Sequence, residues 1–223
     1  MKSPAPGNGG GFFKGVYMKV LLINGSPKKD GNTAYALNQM ADVFQAEGIE
    51  TEIIQVGSQV IRGCTGCGSC YKLGKCVFDD LVNETAEKLG SADGIVLGSP
   101  VYYASPNGTL LSFLDRLFYS SGSVDKRMKV GASVVVARRG GCTAAMDVLN
   151  KYFTISQMPV ASSTYWNIIH GGKPGEASQD AEGVRTVRNL AKNMTFLMRS
   201  IQMGKENTGL PEGEKKVFTN FIR

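Results

Sequence analysis

Four short apolar runs stand out along the chain: KVLLIN (19–24), ETEIIQV (50–56), GIVLGS (94–99) and KVGASVVVA (129–137). Runs of this length, rich in Val, Ile and Leu, read as strands of a parallel sheet buried on both faces. Between and after them apolar residues recur at helical spacing. The sets are Leu37, Met40, Ala41 and Phe44; Leu110, Phe113, Leu114, Leu117 and Phe118; and Val187, Leu190, Ala191, Met194, Leu197, Met198 and Ile201. Each set offers one apolar face to a sheet. A weaker fifth strand is expected within PVASSTYWN (159–167). Strand-helix units joined by right-handed crossovers predict an open α/β sheet with helices on both faces. Ligands of such sheets bind beyond the carboxyl ends of the strands, where strand order reverses.

The chain has 223 residues, of which 42% are hydrophobic, enough for one domain with a substantial core. That domain is placed at 18–203. Residues 1–17, rich in Gly, Pro and small polar residues, read as a flexible extension, and 204–223 as a polar tail that turns apolar at Val217, Phe218, Phe221 and Ile222. The net charge is +6, a surface suited to anionic ligands or acidic partners. The basic residues form no tract interleaved with aromatics, which argues against a nucleic-acid module. No apolar run approaches the ~20 residues of a membrane span, and the first residues lack the apolar centre of a signal peptide, so a cytoplasmic location is expected.

Three loops at the carboxyl ends of the expected strands carry candidate chemistry. After the first strand, GSPKKDGNT (25–33) has the small, polar, basic character of an anion cradle. Backbone N–H groups at a helix start, the Ser26 and Thr33 hydroxyls and the Lys28 charge could converge there on a phosphate. No Gly-Lys-Ser or Gly-Lys-Thr closes the loop, so it is not a nucleoside-triphosphate loop. The same residues would also serve a plain capped turn. After the third strand, PVYYASPNG (100–108) sets two tyrosines between prolines, a stiff frame for a planar ring or ordinary packing beneath the next helix. After the fourth, Arg138-Arg139-Gly140-Gly141 combines close backbone approach with charge, or makes a turn. Taken together, the three loops suit a mononucleotide with a flat ring, for which flavin mononucleotide (FMN) is the natural candidate.

A fourth segment is the most specific. Cys64, Cys67, Cys70 and Cys76 follow a C-x2-C-x2-C-x5-C spacing, interspersed with Gly63, Gly66, Gly68 and Gly74. Three close thiolates and a nearby fourth can surround one iron-sulfur cubane, and the glycines allow tight wrapping with N–H groups turned toward cluster sulfur. Zinc on four thiolates and reversible CxxC thiols remain open. Five cysteines, an odd number, do not suggest a secreted disulfide framework. Cys142 reads as a small packing residue and Trp166 as core or interface. The lone histidine, His170, reads as a structural or surface residue of the IIHGGKPGE turn, which weakens any hydrolase reading.

The segments VLLINGSPKKDGNT, SPVYYASPNG leading into LLSFLDR, and YWNIIHGGKPGE with DAEG resemble the NADPH-dependent FMN reductase family over roughly 19–201. The cysteine spacing resembles that of its iron-sulfur flavoprotein branch. The resemblance implies a flavodoxin-like fold, a doubly wound five-stranded parallel sheet in three αβα layers. Carried over residue by residue, it implies that Ser26, Lys28, Asn32 and Thr33 hold the FMN phosphate, and that Pro100, Val101, Tyr102 and Tyr103 line the ribityl chain and ring. Arg138, Arg139, Gly140 and Gly141 would sit near the pyrimidine side, and a 4Fe-4S cluster would sit on the four cysteines of the loop 63–77. An oxidoreductase is expected, passing electrons from NAD(P)H or an acidic ferredoxin to a small acceptor, and assembled as a homodimer or homotetramer. Two rivals use the same residues: a non-enzymatic electron carrier, and a cysteine-based redox or metal sensor.

Overall fold

The computed structural model describes residues 17–215 and 217–222; the expected N-terminal extension, Tyr17 apart, lies outside the described residues. Strand β1 (Lys19–Asn24) leads into helix α1 (Asn32–Ala46), then β2 (Glu50–Gln55), a single turn α2 (Cys70–Leu73), and α3 (Leu81–Ser91). Strand β3 (Gly94–Tyr102) folds back on the two-residue β4 (Ser105–Pro106) and is followed by α4 (Gly108–Ser120), β5 (Val130–Ala137) and α5 (Cys142–Ile155). A short β6 (Ile168–His170), a 3-10 turn (Glu176–Gln179) and the long α6 (Ala181–Thr208) complete the order.

The main sheet runs β2-β1-β3-β5-β6, and every pairing along that path is parallel. From β1 the chain moves outward to β2, then returns across β1 to β3 and continues toward β6. Strand order therefore reverses between β1 and β3, which opens a crevice at their carboxyl ends. Alternate residues of β1 serve opposite faces. Val20 and Leu22 join a core with Leu37, Met40 and Phe44 of α1 and Val187, Leu190 and Met194 of α6. Leu21 and Ile23 join a second core with Leu89 of α3, Phe113 and Leu117 of α4, and Leu149 and Phe153 of α5. Each fully buried Leu, Ile or Phe in these layers contributes ~1.5–3 kcal/mol.

The three-layer architecture matches expectation, with two differences in the sheet. The fifth parallel strand is not within 159–167, where only Val160 makes an isolated bridge to Gly131; it is displaced to Ile168–His170. That segment pairs with Val135–Ala137, at the end of β5 where its neighbour on the other side is already covered by β3. Six strands are present instead of five because the chain after β3 doubles back antiparallel, Val101 facing Pro106 and Tyr102 facing Ser105. The last helix continues to Thr208, so the boundary placed at 203/204 falls inside it. Trp166 is 54% exposed and does not belong to either core, whereas Cys142 is buried at the start of α5. Among the described residues no helix is long and apolar enough to cross a membrane.

Candidate functional site

The β1–α1 loop is anchored by side chains at the end of the sheet. Asn24 Oδ1 accepts from the Ser26 N–H at 3.0 Å and its Nδ2 donates to Gln55 Oε1 at 2.7 Å, while Gln55 Nε2 donates to the Ser26 carbonyl at 2.6 Å. Gly25 N–H donates to the Gly98 carbonyl of β3 at 2.8 Å, which ties the loop to the reversal point. Beneath it, Gly57 comes so close that a Cβ there would lie 2.3 Å from the Gly25 carbonyl oxygen. Ser26 Oγ accepts from the Lys28 N–H at 3.1 Å, so its own hydrogen remains to be donated to a ligand.

The longer helices differ in how their starts are capped. Asp80, Asn107 and Asp180 cap α3, α4 and α6 with side-chain oxygens. α1 starts at Gly31 and α5 at Gly141, neither with a side-chain cap. The first N–H groups of a helix have no intrahelical acceptor and lie at the positive end of its dipole. In α1 they open toward a cavity of about 230 Å³ whose lining includes Ser26, Lys28, Gly31, Asn32 and Thr33.

The opposite wall is the end of β3, which runs three residues past its expected limit. Pro100, Val101 and Tyr102 line the cavity. Tyr103 and Ala104 turn the hairpin into β4 with φ of 50° and 59°, the left-handed backbone of a two-residue hairpin turn made here without glycine. Strain of ~1–3 kcal/mol per residue is typical of such positions and persists only where the surroundings enforce it. Two contacts do so: Ser99 Oγ accepts from the Asn107 N–H at 3.0 Å, and Gly141 packs so tightly that a Cβ there would lie 2.8 Å from Ala104 Cα. Tyr103 is fully exposed at the turn tip and does not line the cavity. Of the Arg-Arg-Gly-Gly segment only Arg138 reaches the lining; Arg139 and Gly140 are exposed beside it, and Gly141 supports the hairpin from behind.

A fourth loop was not among the expected site residues. Gly171, Gly172 and Pro174, just after β6, close the remaining side. Asn32 reaches this loop with both ends of its amide: Nδ2 donates to the Lys173 carbonyl at 2.9 Å and Oδ1 accepts from the Ala177 N–H at 3.3 Å. Asn32 therefore joins the start of α1 to the far wall. Glu176 Oε2 accepts from the N–H groups of Gly172 and Lys173, each at 2.8 Å, and these bonds hold its carboxyl below the ordinary value of 4.5. The signal in the sequence was the turn-rich HGGKPGE, but its position depended on where β6 ends.

The four cysteines Cys64, Cys67, Cys70 and Cys76 line one pocket of about 20 Å³, together with Phe78 and, from α4, Arg116, Tyr119 and Ser120. Gly66, Gly68 and Gly74 have φ of 66°, 69° and 68°, the left-handed turns that let the loop wrap. Cys76 is the firmly held member. Its N–H donates to Asn83 Oδ1 and its carbonyl accepts from Asn83 Nδ2, both at 3.0 Å. Cys64 and Cys67 are exposed, and the Ser69 hydroxyl and N–H bring the Cys67 thiol below its ordinary value of 9.0. All four are free thiols. They face a common pocket without closing to the spacing at which three or more Cys, His, Asp or Glu among the described residues would grip one metal ion.

The fold and the cavity at its strand reversal define an FMN-dependent oxidoreductase of flavodoxin-like architecture, as comparison with known proteins shows. The family model for NADPH-dependent FMN reductase matches residues 18–173. An iron-sulfur flavoprotein of Methanocaldococcus jannaschii is 34% identical over 83% of this chain and its own full length. Another, of Methanosarcina thermophila, is 29% identical over 85% of this chain and its own full length. Among solved structures, RosB with bound 8-demethyl-8-formylriboflavin-5'-phosphate superposes with a TM-score of 0.65 at 16% identity, covering 92% of this chain and 94% of that one. The chain belongs to the NADPH-dependent FMN reductase family, in its iron-sulfur flavoprotein branch.

Proposed function

We propose that this protein is an iron-sulfur flavoprotein that passes electrons between NAD(P)H or an acidic ferredoxin and a small acceptor. The observation that carries the cluster part is that all four cysteines of one loop face a single pocket. A cluster, which carries its own sulfide between the irons, spans a wider set of thiolates than a lone tetrahedral ion does. Cys64, Cys67, Cys70 and Cys76 would hold a 4Fe-4S cluster, and the glycine turns let the loop wrap around it.

The flavin phosphate would be held by the uncapped start of α1, the Ser26 hydroxyl, Thr33 and Lys28. Pro100, Val101 and Tyr102 would flank the ring, with Arg138 and the Gly171–Gly172 turn opposite. Asn32 acts here by fixing that turn, because its amide is already bonded to it. When bound, FMN exchanges two-electron hydride equivalents for single electrons, and the cluster carries single electrons. The protein's part is position, hydrogen bonding and exclusion of water; no side chain in the cavity is required as acid or base. The +6 charge is compatible with an anionic nicotinamide donor or an acidic protein donor. The homo-oligomeric assembly and cytoplasmic location expected from the sequence belong to the same proposal.

Anaerobic purification with flavin, iron and acid-labile sulfide assayed on one sample tests this reading. Flavin with about four irons and four sulfides per chain supports it. Flavin alone restricts the protein to a simple FMN oxidoreductase with redox-active or structural thiols. Reduction by NADPH without a protein donor favours the enzyme over the carrier.

A further inference from the structure

Helix α4 carries a guanidinium in a place where burial is costly. Arg116 is 1% exposed, among Phe113, Leu114 and Leu117 of the same helix. Such a charge is retained only where its donors are matched. Arg116 Nη1 and Nη2 pair with Asp80 Oδ2 and Oδ1 at 2.7 and 3.0 Å, and Nη2 also donates to the Phe78 carbonyl at 3.2 Å. Nε and Nη2 turn to one sulfur, Cys76 Sγ, at 3.3 and 3.2 Å. The guanidinium carbon also lies 5.2 Å from the centre of the Phe78 ring, which lines the same pocket. A neutral thiol is a weak acceptor for two N–H groups; a sulfur bound to metal is a strong one.

One helical turn on, Ser120 makes a second and independent observation. Its Oγ is buried and has no hydrogen-bond partner among the described residues, and the residue lines the cysteine pocket. A helical hydroxyl has an easy alternative in the carbonyl four residues back. Ser121 takes it, donating to Leu117 at 2.6 Å, as do Thr85 to Leu81 at 2.7 Å and Thr195 to Ala191 at 3.0 Å. Ser120 does not. A buried donor left unmatched at a pocket lined by four cysteines calls for a partner within that pocket.

We infer that Arg116 and Ser120 are positioning residues of the cysteine pocket: Arg116 fixes Cys76 and sets a positive charge beside its sulfur, and Ser120 donates a hydrogen bond to a sulfur of the bound cluster. The inference rests on the iron-sulfur reading given above. Positive charge and hydrogen bonds at cluster sulfur stabilise the form that has gained an electron, so the pair raises the reduction potential. α4 begins at the hairpin flanking the flavin cavity, so one helix links the two sites.

The test compares the parent protein with Ser120→Ala and Arg116→Lys, all purified anaerobically. Iron and sulfide are assayed per chain, and the cluster midpoint is measured by dithionite titration followed by paramagnetic resonance. Ser120→Ala removes only an unmatched hydroxyl, so folding and iron content should be unchanged while the midpoint moves to more negative potential. Arg116→Lys keeps the charge but loses the planar fork, so its midpoint should also fall, or its iron should fall with Cys76 no longer fixed. An iron-loaded Ser120→Ala with the parent's midpoint overturns the role of Ser120, and Arg116→Lys with parental iron and midpoint overturns that of Arg116. A parent protein without iron and sulfide overturns the cluster reading and this inference with it.

Discussion

The two candidate sites lie in one domain, share no lining residue, and are built on opposite principles. The cavity at the strand ends is made by the fold. One side, where the phosphate is proposed to sit, is a helix start, the opposite side is the continuation of a buried central strand, and its loops are tied together by Asn24, Gln55, Asn32 and Glu176. The cysteine pocket is made by a loop. Two of its cysteines are exposed, three of its turns depend on glycine at positive φ, and its firm contacts converge on Cys76. A site on rigid elements is ready before its ligand arrives, whereas a site on a loop takes its final geometry from the ligand.

The largest effect that would sharpen this comparison is expected from Cys64→Ser. Iron and sulfide should fall to trace levels, while FMN affinity stays within about twofold, the range for sites that act independently. A large loss of flavin in that variant would mean that the two sites fold as one unit.

Next in size is Gly57→Ala, which drives a methyl group into the backbone at Gly25 and Ser26. Overpacking of this kind costs about 1–3 kcal/mol, so FMN should bind on the order of tenfold more weakly in a fluorescence titration, with iron content retained. Unchanged flavin affinity would show that the loop between β1 and α1 is not held from below.

Lys28→Ala should have a smaller effect because the side chain is exposed. A loss of about 1 kcal/mol, roughly fivefold in FMN affinity, is expected, with riboflavin, which lacks the phosphate, bound as before. Equal weakening of both ligands would place Lys28 away from the phosphate.

The smallest effect concerns pH. Glu176 titrates below 4.5 when folded because two N–H groups bond to its carboxylate. Its support for the Gly171–Pro174 wall is therefore complete above pH 4.5 and is lost as pH falls through the lowered folded value. Glu176→Gln should bind FMN more weakly than the parent at neutral pH, with the gap closing on acidification. A gap that stays constant with pH would assign the loop's order to other contacts.

Much of this was legible in the chain. The four strong strands, the helices α1, α4 and α6, the polar loop after β1 and the cysteine pocket follow from local apolar periodicity, turn chemistry and spacing, each of which acts over a few residues. Less legible were Ile168–His170 as the edge strand and Gly171, Gly172 and Pro174 as a wall, because a three-residue strand is selected by an open position beside β5 and not by its own pattern. The sequence pattern places Tyr103, Arg139, Gly140 and Gly141 at the cavity, yet the hairpin turn carries Tyr103 outward and sets Gly141 beneath Ala104. Adjacent positions in a tight turn point to different sides, and composition does not say which.

Arg116 and Ser120 mark the limit of local reading. In the sequence they belong to an ordinary amphipathic helix, and nothing in their neighbours announces a sulfur ligand. The sequence by itself determined the fold class, the cysteine set and the polar loop between β1 and α1, because short-range rules govern each of them. Only the tertiary structure brought α4 against a loop some forty residues earlier, with Arg116 on Cys76. Contacts between distant segments depend on how the layers pack, and that is a property of the assembled chain.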